Sequence, residues 1–460
     1  MKFHITPLQN LAGYTHSFRR SGLSPRRFQR VGDNALHLRS QISRIAAIFG
    51  QRATSAALAV LLIASLSLST AFGQDQNLVQ TIRDQPSWVI RNDQIEIAVT
   101  QLGAHMAPVT FYRHDAAPVR PYHVSPWQGE KLDISVPVLV PLRGDFFCLP
   151  FGGNGTPYRG EQHPPHGEIV GAPWTFLGVE SAAGVTSLNI SIATKVRPGK
   201  VTEQLSLVDG QNVVYTKTTI EGFAGKTSLA HHAILAMPEK EGVIKISTSP
   251  ILFGMTCPYP FSNAAQQEYQ SLAIGAKFAD LAKVPVIFKD RPDTDCTAFP
   301  ARRGFADLLE VFSAPSKTTP AWITAVNTDE HWLWFALKDP TILPGRVFWM
   351  ENHGRYGSPW NGRNNCLGLE DGCTFFDQGI AESSADNVIT RLGVPTSVEL
   401  KGDRPFVVTY IQGVVKVPAG FDKVASVEFK PGVVEFVSPQ GQRVSASVRH
   451  EFIWDAKLVR

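Results

Sequence analysis

Residues 143–174 bring together two arginines, one aspartate, two histidines, two glutamates and several aromatic residues. The glycines and prolines of this stretch argue against a long helix, so we expect a loop-rich segment. A pyranose has an apolar face and a ring of hydroxyls, and its binding site needs aromatic faces beside hydrogen-bonding groups. The stretch therefore indicates a sugar site, with candidates Arg143, Asp145, His166, Glu168 and Trp174.

Three later segments carry similar chemistry. His231 and His232 are neighbours in a strand-like run, so their side chains should point to opposite faces. Residues 349–363 alternate aromatic and polar side chains, beginning with Trp349, in what we predict is a turn-rich loop. This loop either lines a sugar cleft or covers a sheet edge. Residues 366–371 read Cys-Leu-Gly-Leu-Glu-Asp, which predicts a strand that ends in the Glu370 carboxylate at a sheet rim.

The first stretch also resembles a known family. Gly144-Asp-Phe-Phe-Cys-Leu-Pro-Phe-Gly152, then Pro165-His166-Gly167 and Pro173-Trp174, is similar to the aldose 1-epimerase (galactose mutarotase-like) superfamily, nearest to the branch related to glucose-6-phosphate 1-epimerase. That branch has an arginine for phosphate recognition where this chain has Val170 and Gly171. The resemblance implies a large antiparallel β-sandwich, the galactose mutarotase-like supersandwich, and an unphosphorylated sugar or oligosaccharide end as substrate.

The same resemblance implies roles for individual residues. Glu370 corresponds to the catalytic base, although Asp371 follows it where the family often has proline. His232, six residues before Pro238, corresponds to the acid at the ring oxygen, with His231 as the alternative. His166 would hold the ring oxygen or a neighbouring hydroxyl.

The remaining site residues would bind the sugar. The resemblance assigns hydroxyl binding to Arg143 and Asp145, and we add Trp174 and Trp349 as aromatic contacts. Glu168 departs from the family's phenylalanine, and it is either a further hydroxyl acceptor or a solvated loop residue.

Anomer interconversion needs an acid and a base and no metal or organic cofactor. The base takes the proton of the C1 hydroxyl while the acid protonates the ring oxygen, and a glutamate and a histidine suit these roles near neutral pH. We expect burial to raise the pKa of Glu370 and the nearby carboxylate to favour protonated His232.

Charge is distributed unevenly along the chain. The formal net charge is +4, but residues 1–73 hold nine Lys and Arg and one Asp. The remaining 35 basic and 39 acidic residues leave a mildly acidic body, which argues against nucleic acid as a partner. The hydrophobic content of 43% suits a chain with a substantial core.

The amino-terminal region reads as a leader. An apolar run at 56–68 follows Arg44 and Arg52 and precedes small residues up to Gly73. This pattern predicts a signal peptide cleaved near Gly73 or Gln74, and hence an exported, periplasmic or extracellular protein. An uncleaved leader acting as a membrane anchor is the alternative. We therefore expect a basic leader and signal peptide over 1–73 and one mutarotase-like domain over 74–460.

Beyond the leader, the pattern is that of strands. Period-two alternation between turn residues predicts an all-β antiparallel sandwich with strands at 88–90, 95–100, 188–194, 200–207, 212–220, 242–247, 322–328, 332–337, 394–400, 404–411, 426–429 and 433–436. Short helices are predicted at 278–282 and 305–309. Among the five cysteines, Cys366 with Cys373 and Cys257 with Cys296 are candidate disulfides.

Two other functions stay open at this point. The same fold could bind carbohydrate without turnover, or serve as an accessory domain in polysaccharide breakdown. Convergence of Glu370 and His232 on one cleft would favour the enzyme. The sequence leaves the identity of the sugar and the oligomeric state undetermined.

Overall fold

The computed structural model describes residues 78–458. The predicted leader at 1–73 lies outside these residues. In chain order the strands are β1 (Val79–Ile82), β2 (Gln85–Arg91), β3 (Glu96–Thr100), β4 (Met106–Thr110), β5 (Phe147–Cys148), β6 (Thr175–Ala182), β7 (Val185–Thr194), β8 (Gly199–Val208), β9 (Val213–Glu221), β10 (Gly225–Thr227), β11 (Leu229–Ala236), β12 (Ile244–Thr248), β13 (Ile251–Thr256), β14 (Lys277–Phe278), β15 (Val284–Pro285), β16 (Asp293–Thr294), β17 (Ala298–Phe299), β18 (Phe305–Ser313), β19 (Ala321–Asn327), β20 (Trp332–Lys338), β21 (Gly345–Asn352), β22 (Asn365–Cys373), β23 (Val398–Leu400), β24 (Phe406–Lys416), β25 (Ser426–Lys430), β26 (Val433–Val437) and β27 (Arg443–Ser447).

Helices are few and short. The α-helices are α1 (Ile380–Ser384) and α2 (Phe452–Asp455), and single 3-10 turns lie at Pro137–Leu139, Glu168–Gly171, Ala264–Gln266 and Thr390–Leu392. Within residues 78–458, none of the helices has the length and apolar character needed to cross a membrane.

Two large antiparallel sheets form the body of the fold. A seven-stranded sheet has the order β14-β13-β18-β21-β22-β11-β5, and a nine-stranded sheet has the order β17-β12-β19-β20-β24-β9-β8-β7-β6. A four-stranded sheet β1–β4, a three-stranded sheet β25–β27 and the pairs β10-β23 and β15-β16 complete the described part. The predicted all-β class is confirmed.

The core lies in two clusters. The larger one is shared by the four-, seven- and nine-stranded sheets. The smaller one packs the other face of the nine-stranded sheet, through Tyr215 and Phe335, against Phe436 of the three-stranded sheet and Phe452 of α2. A fully buried side chain of this size contributes about 1.5–3 kcal/mol, so both faces of the nine-stranded sheet stabilise the fold.

The centre of the seven-stranded sheet departs from the alternating pattern. Strands β21 and β22 are buried at every position, and β18 and β11 at all but one. A strand covered on both faces has no polar side to alternate with. For this reason the helix predicted at 305–309 is wrong, because these residues begin strand β18. The helix predicted at 278–282 is also wrong, because β14 ends at Phe278 and a turn follows.

The cysteine predictions are also corrected. All five cysteines are buried free thiols. Cys366 and Cys373 lie on the single strand β22, without an intervening turn. Seven strand residues span roughly 23 Å, far beyond the reach of a disulfide.

Candidate active site

The site is built on the pairing of strands β11 and β22. Their antiparallel register sets His232 directly opposite Glu370. The two side chains lie on the same face of the sheet, and His232 Nε2 is 3.4 Å from Glu370 Oε1. Both residues are buried, with 5% and 3% of their surface exposed. Sheet pairing therefore brings together residues that are 138 positions apart in the chain.

A glycine makes room for the Glu370 side chain. Gly368 lies two residues before Glu370 on the same face of β22 and opposite Trp349 of β21. A Cβ at Gly368 would lie 2.4 Å from Glu370 Oε1 and 3.0 Å from the Trp349 Cβ. The first of these separations is a clash, so a glycine at position 368 is needed for this position of the Glu370 carboxyl group.

His166 reaches the same place from a loop. Its ring centroid is 5.0 Å from that of His232, and the rings meet edge to face. The backbone of His166 is left-handed, with φ of 61°, and its N–H donates to Gly152 O at 2.7 Å. A left-handed non-glycine residue is uncommon, and such residues cluster at functional sites. The loop thus fixes the His166 imidazole beside the His232–Glu370 pair.

The His232 imidazole packs against a stack of two further rings. Phe146 stacks on His232 with centroids 4.6 Å apart, and His105 stacks on the other side of Phe146 at 3.8 Å. His105 is itself held by a contact of 3.0 Å between Nε2 and Val170 O. This stack restricts the orientation of the His232 ring.

Aromatic residues and one cation form the rest of the cleft. The cleft encloses about 500 Å³ of empty space, which includes space open to solvent. Its apolar walls include Trp349, Trp360 and Phe261, and Arg355 contributes a guanidinium. The lining is completed by Val138, Leu139, Leu142, Leu308 and Asp377 together with His166, His232 and Glu370.

Asp377 adds a carboxyl group that is held in place. The Tyr259 hydroxyl donates a hydrogen bond to Asp377 Oδ1. Asp377 lies on the cleft wall in the loop after β22, where its free acceptor positions can take a hydrogen bond from a ligand hydroxyl.

Burial disfavours the charged forms of both Glu370 and His232. Burial raises the pKa of Glu370 well above its usual range, and the nearby Asp377 and Glu310 carboxyls add to this. Burial lowers the pKa of His232 well below its usual range, helped by His166 and His105. The pKa of His166 falls to about 4, mainly through desolvation. The expected rise for Glu370 is present, whereas the expected support for protonated His232 is outweighed by burial.

Arg143 does not line the cleft. Its guanidinium is fully buried and donates to backbone oxygens of Pro141, Ile82 and Arg83, and to Gln128 Oε1. These four bonds use the donors that a sugar would need. The residue ties the loop to the first hairpin, and the geometry does not support hydroxyl binding.

Asp145 also lies away from the cleft. Its Oδ2 is 3.1 Å from His231 Nδ1 and accepts from Gln412 Nε2 at 2.7 Å. Both contacts are in the layer between the two large sheets. His231 therefore faces the interior, and His232 is the histidine of the pair that faces the cleft.

Glu168 and Trp174 have structural contacts instead. Glu168 Oε1 accepts the backbone N–H groups of Lys195 and Val196 at 2.8 and 2.9 Å. The Trp174 indole donates to Ile169 O at 2.8 Å. Neither residue lines the cleft, so the sugar contacts predicted for them are not supported by the geometry.

Two predicted positions shift within their segments. Glu370 lies inside β22 rather than at its end, because β22 continues to Cys373 between two neighbours. Residues up to Asn352 belong to strand β21 rather than to a loop. Trp349 lines the cleft from β21, while Arg355 and Trp360 line it from the loop that follows.

Several cleft residues escaped the sequence analysis. Asp377, Tyr259 and Phe261 lie in turn-rich segments with no distinctive spacing. Arg355 and Trp360 belong to residues 349–363, for which the sequence allows either a role in the cleft or cover of a sheet edge. Asp377 follows Glu370 by only seven residues, and this short spacing could have indicated a second carboxyl group at the site. Within residues 78–458, no group of three or more His, Cys, Asp or Glu side chains is placed to hold a metal.

Comparison with known proteins bears on the fold. A galactose mutarotase-like protein from Clostridium acetobutylicum superposes with a TM-score of 0.52 at 10% identity, over 74% of this chain and 98% of that one. A galactose mutarotase related enzyme from Lactobacillus acidophilus gives a TM-score of 0.45 at 12% identity, over 72% and 98% of the two chains. The chain has a galactose mutarotase-like fold. The resemblance seen in the sequence is confirmed at the level of this fold.

Comparison by sequence identifies no relative of this chain. No family model matches the chain, and a search of curated proteins finds no match. In this mutarotase-like fold, the role of each cleft residue must therefore be argued from its own geometry.

Proposed function

We propose that the protein is a sugar anomer epimerase of the mutarotase type. The observation that carries the proposal is the His232–Glu370 pair, opposed across two strands at 3.4 Å inside an aromatic cleft. An acid and a base within reach of one small ligand are what ring opening requires. The reaction is proton transfer, and it needs no cofactor.

The ring-opening step uses the charged form of the pair. The Glu370 carboxylate takes the proton from the C1 hydroxyl, and protonated His232 gives its proton to the ring oxygen. The bond between C1 and the ring oxygen breaks, and an open-chain aldehyde forms. The pair is then neutral, with the proton on Glu370.

The ring-closing step uses that neutral form. After rotation about the C1–C2 bond, the C5 hydroxyl attacks C1 and loses its proton to His232, while Glu370 protonates the aldehyde oxygen. Burial disfavours charge on both groups, which supports a neutral resting pair. The two forms differ by one proton across a 3.4 Å contact.

The other cleft residues would bind and orient the sugar. The Trp349 and Trp360 rings offer apolar surface for the pyranose face. His166, beside His232, would hold the ring oxygen or a neighbouring hydroxyl. Asp377 would accept a hydroxyl proton.

We further propose an unphosphorylated substrate. Val170 is buried with its carbonyl oxygen 3.0 Å from His105 Nε2, so this position offers no phosphate contact. Competition binding checks this: a hexose phosphate that binds much more tightly than the free hexose would contradict it.

We also propose that the protein is exported, as the leader pattern suggests. Sequencing the amino terminus of the mature protein should give a start near Gln74. An intact leader on cytosolic protein would contradict the proposal.

The catalytic test is polarimetry. Freshly dissolved α-anomer should lose its optical rotation faster with the wild-type protein than spontaneously. Glu370→Gln should slow the catalysed rate by on the order of 10²–10⁴-fold, and His232→Asn similarly. The double variant should cost much less than the product of the two, because both groups serve one transition state.

A matched control separates catalysis from burial. Glu203 on β8 is another buried glutamate whose pKa is raised, to about 8, mainly by burial, but it lies outside the cleft. Glu203→Gln should leave the rate unchanged per folded molecule. If the wild-type protein binds sugar yet accelerates no common aldose, the protein is a carbohydrate-binding module instead.

A further inference from the structure

Arg355 is distinctive among the cleft residues. Of the described residues that line the cleft, it is the only one with a permanent positive charge. Its side chain is 24% exposed, so the guanidinium is partly desolvated but still open to a ligand. A partly desolvated guanidinium is stabilised by a negatively charged hydrogen-bond acceptor.

The guanidinium is held by rings rather than by hydrogen bonds. Its Cζ lies 5.1 Å from the ring centroid of Phe261, 5.2 Å from that of Trp360 and 5.8 Å from that of Trp349. These contacts are of the cation–π type and fix its place on the cleft wall. The backbone N–H of Arg355 also donates to Glu351 Oε1 at 3.0 Å.

The donors of this guanidinium are unused within the described part of the chain. It donates no hydrogen bond there, and its nearest carboxylate contact is Nε to Glu351 Oε2 at 3.6 Å. Burial raises the pKa of Glu351 to about 7, so that this carboxyl only partly offsets the charge. By contrast, Arg197 forms a fork with Glu161 at 2.7–3.1 Å and also donates to Lys226 O.

We infer that the sugar bound in this cleft carries a carboxylate, and that the preferred substrate class is a hexuronic acid. This inference rests on the proposed function. A guanidinium fork matches a carboxylate with two parallel hydrogen bonds. A neutral sugar would offer the free donors of the Arg355 guanidinium no anionic partner.

A carboxylate fits this cleft better than a phosphate. One guanidinium balances the single charge of a carboxylate. A phosphate carries close to two negative charges, and the same cleft presents the carboxyl groups of Glu370 and Asp377. The extra charge would face repulsion without a second cation among the described lining residues.

Arg355 and His232 both contact the indole of Trp349. The Arg355 Cζ and the His232 ring centroid lie 5.8 and 6.0 Å from the same Trp349 ring centroid. In a hexuronic acid the carboxylate is attached to C5, which is bonded to the ring oxygen. A carboxylate held by Arg355 would therefore keep the ring oxygen, two bonds from the carboxylate carbon, in the cleft that His232 also lines.

The experiment measures kcat/KM for anomer interconversion by NMR exchange. The substrates are glucuronic acid, glucose and glucose 6-phosphate. The wild-type protein should favour the uronate over the neutral hexose by about 10-fold or more, as expected for a charged hydrogen-bonded contact. Added salt should reduce this ratio only modestly, because the site is partly buried.

Two variants test the fork. Arg355→Gln should remove most of the uronate preference, and Arg355→Lys should retain part of it, because lysine keeps the charge but loses the planar fork. Arg363→Gln is the control: this arginine pairs with Glu130 outside the cleft lining and should leave the ratio unchanged.

The possible outcomes test the uronate preference and the epimerase activity separately. Faster turnover of glucose with no uronate preference, or a preference for glucose 6-phosphate, would overturn the inference and leave the epimerase proposal standing. If no sugar is turned over, calorimetry decides. Tighter binding of glucuronic acid than of glucose, lost in Arg355→Gln, would overturn only the epimerase proposal, and equal binding would overturn both.

Discussion

Two adjacent residue pairs of the β11–β22 ladder, called rungs below, each place a histidine opposite a carboxylic acid. Their side chains lie on opposite faces of the sheet. His231 lies opposite Asp371 and faces the layer between the sheets, while His232 lies opposite Glu370 and faces the cleft. Both carboxyl groups are buried. The difference between the rungs lies in what surrounds each carboxylate.

The interior rung is matched in charge. Lys338 Nζ is 2.6 Å and Arg346 Nε 2.8 Å from Asp371 Oδ1, and the Tyr410 hydroxyl donates to Oδ2 at 2.7 Å. Burial alone would raise the pKa of Asp371, but Arg346 and Lys338 together bring it below its usual range. This carboxylate stays charged and links the two sheets.

The cleft rung has no such cations in contact. Among residues 78–458, the salt-bridge partner of Glu370 is His232, and its pKa rises mainly through burial. A buried, unmatched acid beside a histidine is costly for stability and suited to proton transfer. The comparison shows that charge matching, rather than residue type or burial, separates the structural pair from the candidate catalytic pair.

The largest expected stability effect is at Asp371. Asp371→Asn leaves Lys338 and Arg346 buried without a counter-ion and should lower the free energy of unfolding by about 3–5 kcal/mol. Urea denaturation measures this loss. Tyr410→Phe, which removes one hydrogen bond to the same carboxylate, should cost less, about 1–3 kcal/mol. A loss below about 1 kcal/mol for Asp371→Asn would remove the basis of the comparison.

A second prediction concerns pH and Glu310. Glu310 lies on the cleft side of β18, and burial raises its pKa from 4.5 to about 8. The unfolded chain releases this proton at lower pH than the folded one. Wild-type stability therefore falls as pH rises through this window, by up to about 1.4 kcal/mol per pH unit from this group.

The Glu310→Gln variant cannot ionise and should lose this slope. Its unfolding free energy relative to wild type should rise between pH 5 and 8, as measured by denaturation at each pH. The control is Glu428→Gln, at a partly exposed residue whose pKa is lowered by Arg443, so that its effect falls at lower pH. A pH-independent difference for Glu310→Gln would show that Glu310 is ionised throughout.

The smallest of these effects is expected at Arg143. Arg143→Lys loses a fork that serves four acceptors and should destabilise the protein by about 1–3 kcal/mol. The rate of anomer interconversion per folded molecule should not change. Arg404→Lys, at an exposed arginine, should alter stability by less than about 0.5 kcal/mol. A large rise in KM for Arg143→Lys would return this residue to the sugar site.

The sequence was sufficient for most strands of the nine-stranded sheet. Alternation revealed strands with one solvated or lightly covered face, such as β7, β8 and β9. It failed for β18 and β21, whose buried positions include charged residues, so that neither strand reads as an apolar run or alternates with period two; these residues are Asp307, Glu310, Arg346 and Glu351. The order of strands in each sheet was likewise beyond a period-two pattern.

The sequence predicted the central residues of the site but not those that the loops contribute. His166, His232 and Glu370 were singled out together by their types and order in the chain, and the structure brings them to one cleft. Arg143 was indistinguishable from Arg355 by sequence. Which arginine faces the cleft is set by the packing of loops that come from distant parts of the chain, and composition does not encode this.

The most direct test compares the two rungs in one assay. Glu370→Gln and Asp371→Asn are each assayed for anomer interconversion of glucose and glucuronic acid, with the rate expressed per folded molecule. We predict that Glu370→Gln folds at least as stably as wild type and loses on the order of 10²–10⁴-fold in rate. Asp371→Asn should be less stable but should keep its rate within about threefold, because it touches no reacting group. Equal rate losses in the two variants, or full activity in Glu370→Gln, would contradict the account.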